Sequence, residues 1–137
     1  MKHIPLLLVL AVAACSETSS SSGFRTFTGE LVNPVSQSVF EVIPRPASYP
    51  SQFWCGAGEY ARRELGAASN DSVYVVSEAG PAVTYNSNSA VQFSLLPPGQ
   101  AQGAQGHRGN WGPKIGDSRF VADASRRCNS NIDRFVP

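Results

Sequence analysis

From Ser51 to Gly66 the chain reads SQFWCGAGEYARRELG. On a helical wheel Phe53, Trp54, Ala57, Tyr60, Ala61 and Leu65 fall within one arc, with Glu59, Arg62 and Arg63 opposite. A short helix with so aromatic a face is not stable alone in water, so it must be laid on another element. Ser51 is the expected N-cap and Gly66 the expected residue just past the end. Upstream, Pro44, Pro46 and Pro50 forbid continued strand pairing and hold the approach extended.

The cover for that face comes from short runs rich in β-branched and aromatic residues. Phe24 to Val32 (FRTFTGELV) and Ser38 to Ile43 (SVFEVI), separated by the turn signal Asn33-Pro34, predict a hairpin. Ser72 to Ser77, Ala82 to Tyr85 and Ala90 to Leu95 predict three more strands, divided by turn signals at Gly80-Pro81 and Asn86-Ser87-Asn88-Ser89, hence an antiparallel meander. In the last of them Val91, Phe93 and Leu95 alternate with Gln92 and Ser94, the pattern of a strand with one wet face. The fold class is therefore α+β: a small antiparallel sheet, hairpin plus meander, with one main amphipathic helix packed on it. Arg119 to Cys128 adds a final strand through Phe120 and Val121 and a short helix capped by Asp123.

Residues 97–117 have no such period. These 21 residues hold six glycines and three prolines and carry His107, Arg108 and Trp111. Loops of this length in compact domains are functional or disordered, and the sequence leaves that choice open.

The amino terminus has a different logic. A basic start (Met1, Lys2, His3), an apolar run from Ile4 to Val12 and two small residues, Ala13 and Ala14, precede Cys15. That order is the layout of a secretory signal, and the run is too short to span a bilayer. The string Val12-Ala13-Ala14-Cys15 resembles the bacterial lipobox. The resemblance implies cleavage of residues 1–14 and lipidation of Cys15, with palmitate among the acyl groups, and an effectively permanent membrane anchor. Ser16, rather than an aspartate, after the cysteine implies sorting to the outer membrane of a Gram-negative cell, facing the periplasm. Residues 15–23 then form the lipidated cysteine and a Ser-rich tether, and residues 24–137 form one domain. An ordinary secretory signal cut after Ala13 or Ala14 is the competing reading.

The chain has three cysteines. Lipidation of Cys15 removes the odd one, and Cys55 and Cys128 can then pair in an oxidising compartment, stapling the carboxyl-terminal segment to the helix.

Three constellations could carry chemistry. Cys55 in the first turn of the helix, with His107 as a base, has the layout of a thiol hydrolase acting on envelope peptides. It is similar to the envelope cysteine peptidases that place their nucleophile at a helix start. Those have aspartate before the cysteine and serine after it, whereas Trp54 and Gly56 flank Cys55. His107, Arg108 and Trp111 could instead form a ligand-binding loop, gripping a sugar ring or an acidic peptide by stacking and charge-assisted hydrogen bonds, with peptidoglycan or another envelope protein as partner. The pairs Arg62-Arg63 and Arg126-Arg127 could form a basic patch beside the staple, facing anionic headgroups.

Charge and motif content narrow the rest. Eleven Lys and Arg stand against ten Asp and Glu, and Lys2 falls within the signal, so the electrostatic footprint of a nucleic-acid binder is missing. Two histidines, one of them in the signal, make no zinc site, and residues 97–116 carry neither a P-loop lysine nor a dinucleotide-binding setting. No cofactor or metal is expected. The reading that results is a membrane-anchored envelope lipoprotein with a small non-catalytic binding or structural domain.

Overall fold

A computed structural model describes residues 23–46 and 49–129. The expected signal, Cys15, the tether before Gly23 and the carboxyl-terminal residues from Ser130 onward lie outside the described residues. Element order is β1 (Phe24–Arg25), β2 (Leu31–Pro34), β3 (Phe40–Ile43), α1 (Pro50–Arg63), β4 (Ser72–Gly80), β5 (Ala90–Ser94), β6 (Ser118–Phe120), α2 (Val121–Arg126) and a closing 3-10 turn, Arg127–Asn129. The six strands form one antiparallel sheet in the order β1-β2-β3-β5-β4-β6, confirming the α+β class. Because β3 and β4 are both antiparallel to β5, they run parallel to each other, and α1 is the crossover between them with β5 inserted in the gap.

Details differ from the sequence reading for identifiable reasons. Phe24 to Val32 is not one strand. It turns back on itself at Thr26–Glu30, with Gly29 at φ 103° and the Gly29 amide donating to the Thr26 carbonyl at 3.1 Å. Asn33 and Pro34 do not make the turn to β3. They end β2, paired with Glu41 and Phe40, and the reversal falls at residues 35–39, where the Val35 and Ser36 amides bond the Val39 carbonyl. Ala82–Tyr85 is not a strand but part of the β4–β5 loop. Its amides find a better acceptor than a neighbouring strand, as described below.

The helix begins two residues earlier than expected, with Pro50 in the first turn and Tyr49 as N-cap, so Ser51 does not cap it. It ends at Arg63. Gly66 takes φ 66°, and the Ala67 amide reaches back to the Ala61 carbonyl at 2.9 Å, satisfying the helix end. Leu65 is past that end and 45% exposed, so it drops out of the apolar arc. Phe53, Trp54, Ala57 and Tyr60 pack with Val32, Phe40, Val42, Val73, Val75, Val91 and Phe93 into one core.

Two interior glycines show how tightly α1 is held. A Cβ at Gly56 would sit 2.5 Å from a Val42 methyl on the sheet, and one at Gly58 would sit 2.3 Å from the Ser125 amide nitrogen of α2. Glycine is costly inside a helix, about 1 kcal/mol relative to alanine, and close backbone approach on two sides is the compensation here. α1 is thus wedged between sheet and α2, and even Glu59, expected on the solvated side, is buried against Arg62. α2 follows β6 directly with Phe120 as its N-cap. Asp123 lies in its first turn and does not cap it.

The staple is present. Cys55 and Cys128 form a disulfide with Cα atoms 4.7 Å apart, within the range such bonds require. It ties the 3-10 turn after α2 to the buried start of α1.

Candidate functional site

The face of the sheet away from α1 carries a polar row that pattern reading did not single out. Asn33 pairs with Glu41, Glu41 with Gln92, and Gln92 with Ser77, so four side chains cross β2, β3, β5 and β4 in register. Glu41, Gln92 and Ser77 are all buried. The expected wet face of β5 is therefore corrected: Gln92 and Ser94 are covered. The row is satisfied by backbone amides of the loops above it. Glu41 accepts from the amides of Val83 (3.1 Å) and Thr84 (2.7 Å), from the Thr84 hydroxyl and from Gln92 Nε2 (3.3 Å). Asn33 Nδ2 donates to Thr84 Oγ1 at 3.0 Å. Gln92 Oε1 accepts from the Gln105 amide at 2.9 Å, and Ser77 Oγ from the His107 amide at 2.8 Å. A buried acid in a strand is expensive unless its oxygens are saturated, and here loop amides saturate them.

Two more buried acids are saturated, Glu78 by loop amides and Glu30 by side chains. Glu78 accepts from the amides of Gly109 and Ile115, each at 3.0 Å, and from Lys114 Nζ at 3.5 Å, with an Arg108 guanidinium nitrogen 3.9 Å away. The two amides, helped by Lys114, hold its carboxyl below the usual glutamate range against the opposing effect of burial. Glu30 accepts from the Thr26 and Thr28 hydroxyls and, at 3.2 Å, from Arg45 Nε.

The loop at 97–117 is thereby ordered. Its backbone closes the part of β4 that β6 leaves open: the Glu78 amide donates to the His107 carbonyl (2.8 Å), Val75 to Asp117 (2.9 Å), and Gly116 back to Val75 (3.0 Å). It is an edge cover. Within it the His107 ring lies against Gly80, where a Cβ would meet it at 3.1 Å. Trp111 rests tilted on Phe53 with ring centroids 5.5 Å apart, and is 41% exposed. Arg108 points outward. The three residues of the expected binding loop thus sit along one strap, each held by a different neighbour.

Cys55 and His107 are not brought together. Cys55 is buried and oxidised, with its sulfur 3.6 Å from Glu30 Oε2 and without a proton to donate. Glu30 immediately precedes β2, whereas His107 bonds to β4. Three ladder spacings separate those strands, about 14 Å.

The four arginines are engaged one by one. Arg62 pairs with Glu59 at 2.6 Å, Arg63 lies over the Phe24 ring at 5.2 Å, Arg126 Nε donates to the Ala122 carbonyl at 3.3 Å, and Arg127 stands 3.9 Å from Asp123. Asp123 also takes Arg119 at 2.9 Å. That hydrogen bond first, then the charges of Arg127, Arg119 and Arg126, hold its carboxyl below the ordinary aspartate range.

Among the described residues no group of three His, Cys, Asp or Glu could hold a metal ion, and no helix is long and apolar enough to cross a membrane. No protein-family model, curated protein or solved structure matches the chain.

Proposed function

We propose that this chain is an exported envelope lipoprotein, anchored through an acylated Cys15 in the outer membrane, whose domain binds a component of the envelope and does no covalent chemistry. The observation that supports the reading is the Cys55–Cys128 disulfide. It uses both cysteines of the domain, as an oxidising compartment allows, and leaves Cys15 as the single remaining cysteine of the three, available for acylation. It also withdraws the one thiol placed at a helix start.

Metabolic labelling with a palmitate analogue tests the anchor. Wild-type protein carries the label in the envelope fraction, and Cys15→Ala loses it and keeps an unprocessed amino terminus. Equal labelling of the variant, or two free thiols in the non-reduced mass spectrum of exported protein, defeats the proposal.

A further inference from the structure

On the same far face, toward the β1 edge, lies an open cleft of about 490 Å³, within the range of about 300–1,000 Å³ common for small-ligand sites. Its floor is apolar: Leu31 and Ile43 form, with Ala90, a small cluster separate from the main core. One wall carries Arg25 and Arg45. The opposite wall is the loop of Tyr85, Ser87 and Ser89, with the Tyr85 ring 52% exposed. Among the described residues that line it none is acidic.

Both walls are fixed by buried carboxylates. Arg45 lies with its stem on Gly29, where a Cβ would meet its Cδ at 2.9 Å, and its Nε is held by Glu30 at 3.2 Å, leaving the side chain about half exposed. Arg25 donates to the Gly29 carbonyl at 3.3 Å. Across the cleft, Glu41 clamps Val83 and Thr84, and the Ala82 amide bonds the Ser87 carbonyl at 2.8 Å. Ser87 and Ser89 thereby line the cleft from a short loop closed on itself, in which the Ser87 hydroxyl accepts from the Ser89 amide at 3.2 Å. A site whose groups are oriented before the ligand arrives avoids part of the ordering cost of binding.

The geometry points to a ligand site for a sugar ring that carries an oxyanion group, carboxylate or phosphate. The exposed Arg25 guanidinium provides planar donors for the oxyanion, and the Arg45 guanidinium, held by Glu30, stands beside it. The floor and the Tyr85 ring suit the C–H face of a pyranose, and the serine hydroxyls suit its edge. The inference needs no anchor, so a negative palmitate label leaves it standing.

The test is titration of the purified full chain, followed by amide chemical shifts, with D-glucuronate, glucose 6-phosphate, glucose and inorganic phosphate. The two charged hexoses shift the amides of Leu31, Arg45 and Tyr85 to Ser89, and bind about tenfold more tightly than glucose or phosphate alone. Which of the two binds better identifies the oxyanion. Arg25→Gln, on the exposed edge strand, reduces charged-hexose affinity about tenfold, and leaves glucose unchanged. Tyr85→Ala weakens every hexose and leaves phosphate unchanged. The inference is overturned if the charged hexoses bind no better than glucose, if phosphate alone matches them, if the shifts fall elsewhere, or if Arg25→Gln has no effect.

Discussion

The two faces of the sheet are closed by opposite chemistry. On one, Phe40, Val42, Val75, Val91 and Phe93 meet the aromatic arc of α1, and the driving force is removal of apolar surface from water. On the other, Asn33, Glu41, Gln92 and Ser77 meet loop backbone, and cohesion comes from donors and acceptors that have nowhere else to go. Apolar packing tolerates some shift of its parts, whereas a buried carboxylate fixes particular amides in place. The far face is accordingly where the chain can hold irregular loops in defined positions, and both the strap at 97–117 and the wall of the cleft are held this way.

The helix face is most exposed to attack at its staple. Replacing Cys55 and Cys128 with alanine frees a loop of sequence separation 73 and lowers stability by about 4 kcal/mol in the chain-entropy account. Thermal melting checks this, with amide exchange localising the loss to α2 and the turn after it.

Glu41→Ala attacks the far face alone. The part-buried amides of Val83 and Thr84 and the buried Gln92 Nε2 lose their acceptor, and with about 1–3 kcal/mol for a buried group left unsatisfied and less for each part-buried one, denaturant unfolding shows a loss of about 3 kcal/mol. A loss within about 0.5 kcal/mol, the range of neutral surface changes, would show that something other than the polar row closes that face. Glu41→Gln keeps one carbonyl acceptor and costs less, about 1–2 kcal/mol.

Acid sharpens the contrast further. Glu78 has its carboxyl below the ordinary value of 4.5 when folded, so its contribution is complete above that value and is lost as pH falls through the lowered one. Asp123, below its ordinary 3.8, follows the same sign. Exchange protection at the Gly109 and Ile115 amides is therefore unchanged from pH 7 to pH 5 and declines below pH 4.5, before the amides of β3 and β5 respond. Simultaneous loss at all of these would mean the strap has no stability of its own to lose.

The smallest effect is expected at the strap's aromatic contact. Trp111→Ala removes a half-exposed ring from Phe53 and costs about 1 kcal/mol in thermal melting. A loss above about 3 kcal/mol would place Trp111 in the core and blur the distinction between the faces.

Legibility in the sequence follows the same division. Apolar packing leaves a period, so Phe53, Trp54, Ala57, Tyr60 and Ala61 could be assigned to a buried face, and the α+β class with its disulfide-stapled end followed. Carboxylate clamps leave none. Glu41 and Gln92 occupy alternate strand positions where a polar residue ordinarily signals solvent, and only the loop packed above them reverses that meaning. Two signals were available nonetheless. A 21-residue stretch without its own hydrogen-bonding pattern must find acceptors somewhere, and acids at Glu41 and Glu78, inside strands otherwise rich in valine, were candidates to supply them. The glycines at 56 and 58 likewise marked close approaches on two sides of α1, a reason the helical period alone does not reveal. The cleft was illegible because Arg25, Arg45 and Tyr85 are distant in sequence and converge only through the pairing of β1, β2 and β3 and the fold of the β4–β5 loop.

The insertion of β5 between β3 and β4 also sets an order of assembly. Phe40 cannot meet Phe93 until the chain has left the ribosome through β5, and such distant pairings slow folding relative to local ones. Until then β3 presents a bare hydrogen-bonding edge with α1 unable to seat fully, a form open to binding by chaperones and to aggregation. A nascent chain truncated before Ala90 would lack β5 and keep that edge of β3 unpaired.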